Sequence, residues 1–600
     1  MTDYRITILS ISRCYRQFSS SSAALHCRLH AVLLLIEHNS IVMQSYLQYR
    51  NIGNVVRQQM GINQEKANPD LPSSVSSSEI NTPVEDADSC PVGRVMTSRT
   101  HYSQRSTMGH ALNGIQVRDR TTLEGKGGSV FIVGWDGERD PANPHNFSKV
   151  RRVTTTLIVS SIAFVVGMAS SIDSAVLRQA AADFGVSEVA ESLATGIYLI
   201  GYSVGALFAG PFSETLGRNV VYISTLILFS IFIMASALAP NFGAQVVFRF
   251  LAGFFGSTPL VCAGGSTSDM WDAVEKTYAF PIFAIGGFCG PVLGPVIGSY
   301  IGVGHIGSWR WTEWISLITS GLVLLLVILF QPETYAPILL KWKARHLREI
   351  TGDIRYRAEL EITHTTFSTR MKIALSRPFT MLAEPIIILM AVYLTVLYIV
   401  LFTFLDGYTF IFEDVYGISQ GLTNIIFVAM AGGMLLATML VPPLYRLTKK
   451  DMEGVLVKGG THIDPEIRLW FAMLGGSISV PISLFWMGWT DFASISVWSP
   501  IIASAMFGYG VICIFISAYM YIIDSYEVYA ASALAFVTLL RYACAGGMTV
   551  AGISFYKNMG THWTLTILGC ISAPLAPIPY VFYKWGYLVR RHSKHAVARK

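Results

Sequence analysis

GGFCGPVLGPVIGSYIG, residues 286–302, decides what kind of protein this is. Glycine recurs at 286, 290, 294, 298 and 302, every fourth position. A helix turns once in 3.6 residues, so each step of four overshoots a turn by about 40°. The five glycines therefore form a slanting bare stripe on one face. Pro291 and Pro295 stand within it. Each removes a backbone donor and crowds the preceding turn, which predicts a kink. In water this pattern would cost a helix about 1 kcal/mol per Gly and about 3 kcal/mol per Pro. In a bilayer, small residues let helices approach closely, and neighbouring groups satisfy the freed carbonyls. The stretch predicts a membrane helix that packs tightly and bends at a moving interface.

The rest of the chain agrees with that setting. Only 14% of its 600 residues are charged, 52% are hydrophobic and the mean hydropathy is +0.47. A soluble chain carries about 25% charged residues. Runs of about 20 apolar residues follow one another, so the chain is read as all-α and polytopic. The net charge of +6 comes from basic residues clustered in loops and does not point to a nucleic-acid partner. Cys262, Cys289, Cys513, Cys544 and Cys570 fall in apolar runs without a CxxC pair and read as small core hydrophobes, not metal ligands.

Twelve membrane helices are predicted, near 153–172, 192–212, 219–239, 246–268, 277–302, 312–331, 383–405, 423–445, 469–489, 498–520, 529–555 and 563–586. They are called spans 1 to 12 below. The predicted organisation is a disordered N-terminal extension (1–148), a six-helix half (149–331), a central loop (332–382), a second six-helix half (383–588) and a short tail (589–600). Within the extension, residues 1–55 carry Arg5, Arg13, Arg16 and Arg28 with few acids. They share features with a mitochondrial presequence but read more simply as unstructured chain. The central loop holds Lys341, Lys343, Arg345, Arg348, Arg355 and Arg357, and the tail holds Arg590 and Arg591, against Arg178, Arg310 and Lys557 on the other side. This asymmetry predicts that both termini are cytoplasmic. It also predicts that the sequon at Asn146 stays unused.

Two stretches suggest chemistry. GPFSETLGRN (210–219) is a tight polar turn between spans 2 and 3, in which Glu214 and Arg218, four apart, can pair. Arg249, in RFLAGFFG (249–256), is an ionisable group at or inside span 4, which makes it a functional candidate.

The six-plus-six layout with these stretches resembles the major facilitator superfamily. GPFSETLGRN is similar to its helix 2–3 loop signature and RFLAGFFG to its helix 4 signature. The stripe of Gly286, Gly290, Pro291, Gly294 and Gly298 resembles the helix 5 signature of antiporters that export substrates. WDGERDPANPHNFSK (135–149), Trp309-Arg310-Trp311, PETYAPILL (332–340) and YIIDSY (521–526) narrow the resemblance to the fungal drug:proton antiporters with twelve helices. Thr215, Asn219, Ala252, Asp173 and the run RYACAGGMTVAG (541–552) depart from that group's pattern. The resemblance implies a proton-coupled exporter of small hydrophobic or amphiphilic compounds (drugs, fungicides or the cell's own secondary metabolites). The alternative is a polyamine or nutrient permease of the same fold. An enzyme is disfavoured, because the histidines are scattered. The resemblance further implies a monomer in the plasma or vacuolar membrane, driven by the proton gradient without a cofactor.

Coupling requires a carboxylate or an Arg-linked network whose surroundings alternate. Candidates are Arg249, Glu214, Arg218, Glu384, Asp406, Asp524, Glu527 and Arg541, although no carboxylate is read as clearly mid-span. The substrate cavity is expected near the midplane between the halves. Tyr393, Tyr398, Phe402, Tyr509 and Tyr519 are its candidate aromatic lining.

Overall fold

A membrane leaves backbone donors and acceptors no water to bond, so apolar runs fold as helices that satisfy themselves. The computed structural model describes residues 44–67, 115–120, 128–303, 308–362, 367–457, 463–526 and 529–596. Among the described residues, eleven segments are long and apolar enough to cross a membrane: Lys149–Phe184, Glu188–Leu216, Arg218–Ala237, Phe242–Met270, Lys276–Ile301, Trp311–Phe330, Pro385–Val415, Gln420–Val457, Pro465–Thr490, Trp498–Tyr526 and Ala530–His592. The last has 63 residues, which as one helix would reach about 95 Å, far beyond a bilayer. It breaks at Gly560, where φ is 76°, so it supplies spans 11 and 12. The architecture is an all-helical, polytopic bundle. Ser148, Ser187 and Asn241 cap spans 1, 2 and 4 by accepting from the backbone N–H of Arg151, Ala190 and Ala244.

The polar termini of these helices gather at two ends. At one end the start of span 1 meets the end of span 4, Arg152 bonding Glu275 and the Met270 carbonyl. The same end holds the 2–3 loop, the linker after span 6 and the tail after span 12, and is called the linker end. The opposite end is called the far end.

The glycine stripe differs from expectation in what it faces. A Cβ at Gly286, Gly290, Gly294 or Gly298 would stand 2.0 to 2.5 Å from Ser160 Oγ, Phe164 O, Ser171 Oγ or Ile172 O, all in span 1 or the turn after it. The stripe thus locks two helices of the same half and does not lie at the interface between halves. The helix runs unbroken over Lys276–Val303 despite Pro281, Pro291 and Pro295. One reason is local: Pro295 cannot bond the Pro291 carbonyl, and Ser171 Oγ donates to that carbonyl at 2.7 Å.

The N-terminal extension also differs from the disordered reading. Helix α1 (Gln44–Ala67) and strands β1 (Ile115–Arg120) and β2 (Gly128–Val133) form there. β2 pairs antiparallel with β1 and parallel with β3 (Tyr356–Arg357). Together with α2 (Ala336–Thr351) of the linker they bury Ile52, Val56, Phe131, Val133, Leu339, Leu347 and Tyr356. Sequence reading treated the extension and the linker separately, but each supplies one side of a small core that neither buries alone. Gln48 fastens α1 to the bundle, its amide donating to the Glu333 carbonyl and accepting from the Glu333 N–H. The segment 135–149 joins in, with Lys343 of α2 2.7 Å from Asp136. The arginine-rich start (1–43), the Ser-rich run (68–114) and Glu527 lie outside the described residues.

Candidate functional site

The interface between the halves carries a central aromatic cluster. Tyr202 of span 2 and Phe288 of span 5 come from the first half. Tyr398 and Phe402 of span 7, Phe515 and Tyr519 of span 10, and Arg541 and Tyr542 of span 11 come from the second. Arg541 Cζ lies 4.4 Å from the Tyr398 ring centre, 4.9 Å from those of Tyr519 and Tyr542, and 5.4 Å from that of Phe515. Tyr202 meets Tyr542 across the interface at 4.5 Å with the rings tilted, and Phe288 meets Phe515 at 4.6 Å. Arg541 is about eleven residues into its span, which at 1.5 Å per residue puts it near mid-depth. A cavity of only about 20 Å³ remains beside these rings, room for about one water. Towards the far end, past Phe402, lies a cavity of about 550 Å³, the size of a small-molecule site. Phe402 lines both spaces and separates them.

Asp406, one helical turn beyond Phe402, lines the larger cavity with Ser171, Thr195, Asn424, Thr549 and Tyr556. Its Oδ2 is buried and lacks a hydrogen-bond partner among the described residues. Gly552 gives it room, since a Cβ there would stand 2.7 Å from Oδ2. Asp406 thus lies inside the apolar segment Pro385–Val415, in its far-end half.

Both ends of the central space are closed by contacts between halves. At the linker end Arg468, only 2% exposed, donates to Asp524 at 2.6 Å, to Thr277 Oγ1 at 2.8 Å and to the Ala273 carbonyl at 2.5 Å. Lys276 stands 3.9 Å from Asp524. At the far end Arg178 pairs with Glu413 at 2.9 Å, and Lys557 with Glu188 at 2.9 Å. Those far-end side chains are substantially exposed, so their pairs are weak and screened. The linker-end clamp is buried and charge-assisted, hence the stronger closure. Arg468→Ala is expected to loosen it. In a background without native cysteines, maleimide labelling of Ser268→Cys, which lies behind the clamp beside Asp524, should rise several-fold in that variant. Unchanged labelling would refute the clamp.

The remaining sequence candidates sit elsewhere. Arg218 is buried but bonds Asp269 at 3.3 Å and Ser213 Oγ at 2.5 Å, not Glu214. The tertiary partner is on span 4, which a sequence spacing of four cannot reveal. The turn itself is held by Glu333, whose carboxylate accepts the N–H groups of Arg218 and Asn219 and so caps span 3. Gly217, at φ 99°, leaves it space, because a Cβ would stand 2.5 Å from Glu333 Oε2. Asn219, a departure from the family pattern, donates its side-chain amide to the Gln331 carbonyl.

Arg249 lies inside the first half, bonded to Asp173, to Glu313 at 2.6 Å and to the Ala169 carbonyl at 2.7 Å. Asp173, another of the departures, is thus one of its counter-ions, a pairing hidden by 76 residues of separation. Glu384, expected among the coupling groups, faces the C-terminal tail. It accepts from Ser593, from the Lys594 N–H at 3.2 Å and from Tyr526, and meets His595 at 2.7 Å.

Of the aromatics, Tyr398, Phe402 and Tyr519 join the central cluster. Tyr393 and Tyr509 do not. Tyr393 is buried within the second half, and the Tyr509 hydroxyl donates to the Leu474 carbonyl of span 9 at 2.8 Å. Helix periodicity could not separate these faces, because span 7 is apolar all round. Tyr202, Phe288, Phe515, Tyr542 and Arg468 are not among the candidates read from the sequence. The signal available for Arg541 was its position inside an apolar span.

Beyond the far-end rim, burial raises the Asp491 carboxyl to about 6, even with Thr561 and His562 near it. Below about pH 4 it is protonated both folded and unfolded. As pH rises from there to about 6, the unfolded chain gives up the proton first, so this group's contribution to stability falls. Asp491→Asn should raise the melting temperature at pH 7 and flatten its decline between pH 4 and 7. An unaltered pH profile would contradict this assignment.

Residues 159–551 match the profile of the Major Facilitator Superfamily. The chain is 52% identical over 467 residues to MFS-type transporter kojT of Aspergillus flavus, covering 78% of this chain and 83% of that one. It is 35% identical to the citrinin biosynthesis cluster MFS transporter mrr1 of Monascus ruber, over 78% of this chain and 92% of that one. Among solved structures, the proton:xylose symporter XylE aligns with a TM-score of 0.52 at 15% identity, over 73% of this chain and 96% of that one, which establishes a shared fold.

Proposed function

The chain belongs to the major facilitator superfamily and is a membrane transporter, not an enzyme, and from that premise we propose that it exports small hydrophobic or amphiphilic molecules in exchange for protons. The observation that carries this reading is the central space between the halves, walled by aromatic side chains and closed at each end by a separate set of contacts between halves. Breaking one set while keeping the other exposes that space to one side at a time, which is alternating access. Export, as opposed to uptake, is supported by the likeness to a transporter named for a citrinin biosynthesis cluster. The glycine and proline pattern of span 5 supports it by resemblance. Asp406 is the carboxylate best placed to exchange a proton, since its buried, unbonded Oδ2 belongs to a side chain that lines the larger cavity. The working unit is a monomer in the plasma membrane, with both termini cytoplasmic by the distribution of Lys and Arg and no cofactor.

The test is transport in sealed vesicles under an imposed proton gradient, comparing a panel of aromatic compounds with spermidine. Efflux of aromatic compounds that collapses with the gradient supports the reading. Gradient-independent movement of every compound, or spermidine uptake alone, overturns it.

A further inference from the structure

Arg541 is a buried cation without an anion. Its side chain is fully buried, and Nε, Nη1 and Nη2 make no well-formed hydrogen bond among the described residues, with the Tyr519 hydroxyl the neighbouring polar group. No carboxylate stands within ion-pair distance of it there, whereas Arg218 and Arg468 are each paired with an aspartate and Arg249 with both Asp173 and Glu313. Four aromatic rings surround the guanidinium in place of a counter-ion. Ring faces attract a cation, but they give its N–H groups no acceptor. A buried charge left so is retained only where something else completes it. Its location suggests what that is. Tyr398, Phe515 and Tyr542 form both the shell over Arg541 and the wall of the central cavity. Tyr202 and Phe288, which complete the cover, belong to the opposite half. Separation of the halves therefore uncovers the guanidinium towards the cargo path.

We propose that Arg541 anchors the cargo's charged group, and that the cargo is a small planar organic anion, a carboxylate or the conjugate base of an acidic phenol or enol, lying against Tyr398 and Tyr542. This deepens the exporter reading and rests on it. The same geometry disfavours a cationic cargo. The ring faces that would attract an ammonium group are already turned to the protein's own guanidinium, so a polyamine would meet like charge in a low-dielectric setting. A neutral cargo would leave the guanidinium donors unmet. A flat anion satisfies both components, giving the N–H groups an acceptor and the tyrosines a ring to pack on.

Three isosteric probes separate these cases: 2-naphthoate, 2-naphthamide and 2-naphthylmethylammonium, titrated against the full chain in lipid nanodiscs with intrinsic fluorescence as readout. Naphthoate is expected to bind at least tenfold more tightly than the amide, with the ammonium weakest. Arg541→Gln should bring naphthoate and naphthamide to equal affinity. Arg541→Lys should keep part of the preference, and the wild-type ranking decides the matter even if Arg541→Gln does not fold. Amide or ammonium binding as tightly as naphthoate in the wild type, naphthoate affinity unchanged in Arg541→Gln, or no saturable naphthoate binding would each overturn the proposal. Gradient-driven efflux measured with the same probes keeps the two readings apart. Efflux of the amide with no preference for the anion sinks the cargo assignment alone, whereas no gradient-driven movement of any probe sinks the exporter reading.

Discussion

Arg249→Ala is expected to deplete the folded protein from the membrane, not merely to stop its transport. The guanidinium is 1% exposed and is shared between Asp173 and Glu313, with the Ala169 carbonyl as a third acceptor. Its removal leaves two carboxylates buried near one another without a cation. Breaking a buried pair in this way costs about 3–5 kcal/mol, against a total stability of roughly 5–15 kcal/mol for a typical protein. The surrounding bonds, Ser236 to Glu313 at 2.8 Å and Thr312 to Asp173 at 3.0 Å, cannot replace a positive charge. The melting temperature in detergent and the amount reaching the membrane should both fall. A triple variant, Arg249→Leu with Asp173→Asn and Glu313→Gln, should regain most of the loss, because it removes all three charges together. Normal stability of Arg249→Ala with transport abolished would return Arg249 to a direct transport role.

Gly290→Ala should be nearly as damaging, and Gly287→Ala nearly silent. At Gly290 an added Cβ would stand 2.4 Å from the Phe164 carbonyl oxygen and 2.9 Å from the Met168 nitrogen. Both are backbone atoms of span 1 and cannot turn aside, so the two helices must separate and lose their packing. Overpacking of this kind costs about 1–3 kcal/mol. At Gly287 the nearest atom is Ala163 Cβ at 3.7 Å, an ordinary contact. In a helix interior Ala also avoids the entropic cost of Gly, about 0.5–1 kcal/mol. Size-exclusion profiles and melting temperatures of the two variants provide the comparison. Equal behaviour would mean that the stripe does not bear on span 1.

Apolar run length and the recurrence of Gly and Pro in 286–302 were enough to read an all-helical membrane bundle, because a bilayer demands internally bonded helices about 20 residues long and composition alone reveals them. The same reading singled out Arg249 as an ionisable group at or inside a span, and Arg541, Asp406 and Asp524 as coupling candidates. It could not supply their partners. Arg218 meets Asp269 instead of the nearer Glu214, Glu384 meets the tail, and α1 with β1 and β2 completes a core with the linker. In each case the partner is distant in sequence and is brought close only by packing. A period of 3.6 tells which residues share a helix face, but not which neighbour that face meets. For this reason the glycine stripe could be read as a close-packing surface from sequence, while only the tertiary structure decided that it grips span 1 and leaves the opposite face of span 5, with Phe288, to the interface with Arg541 and its rings.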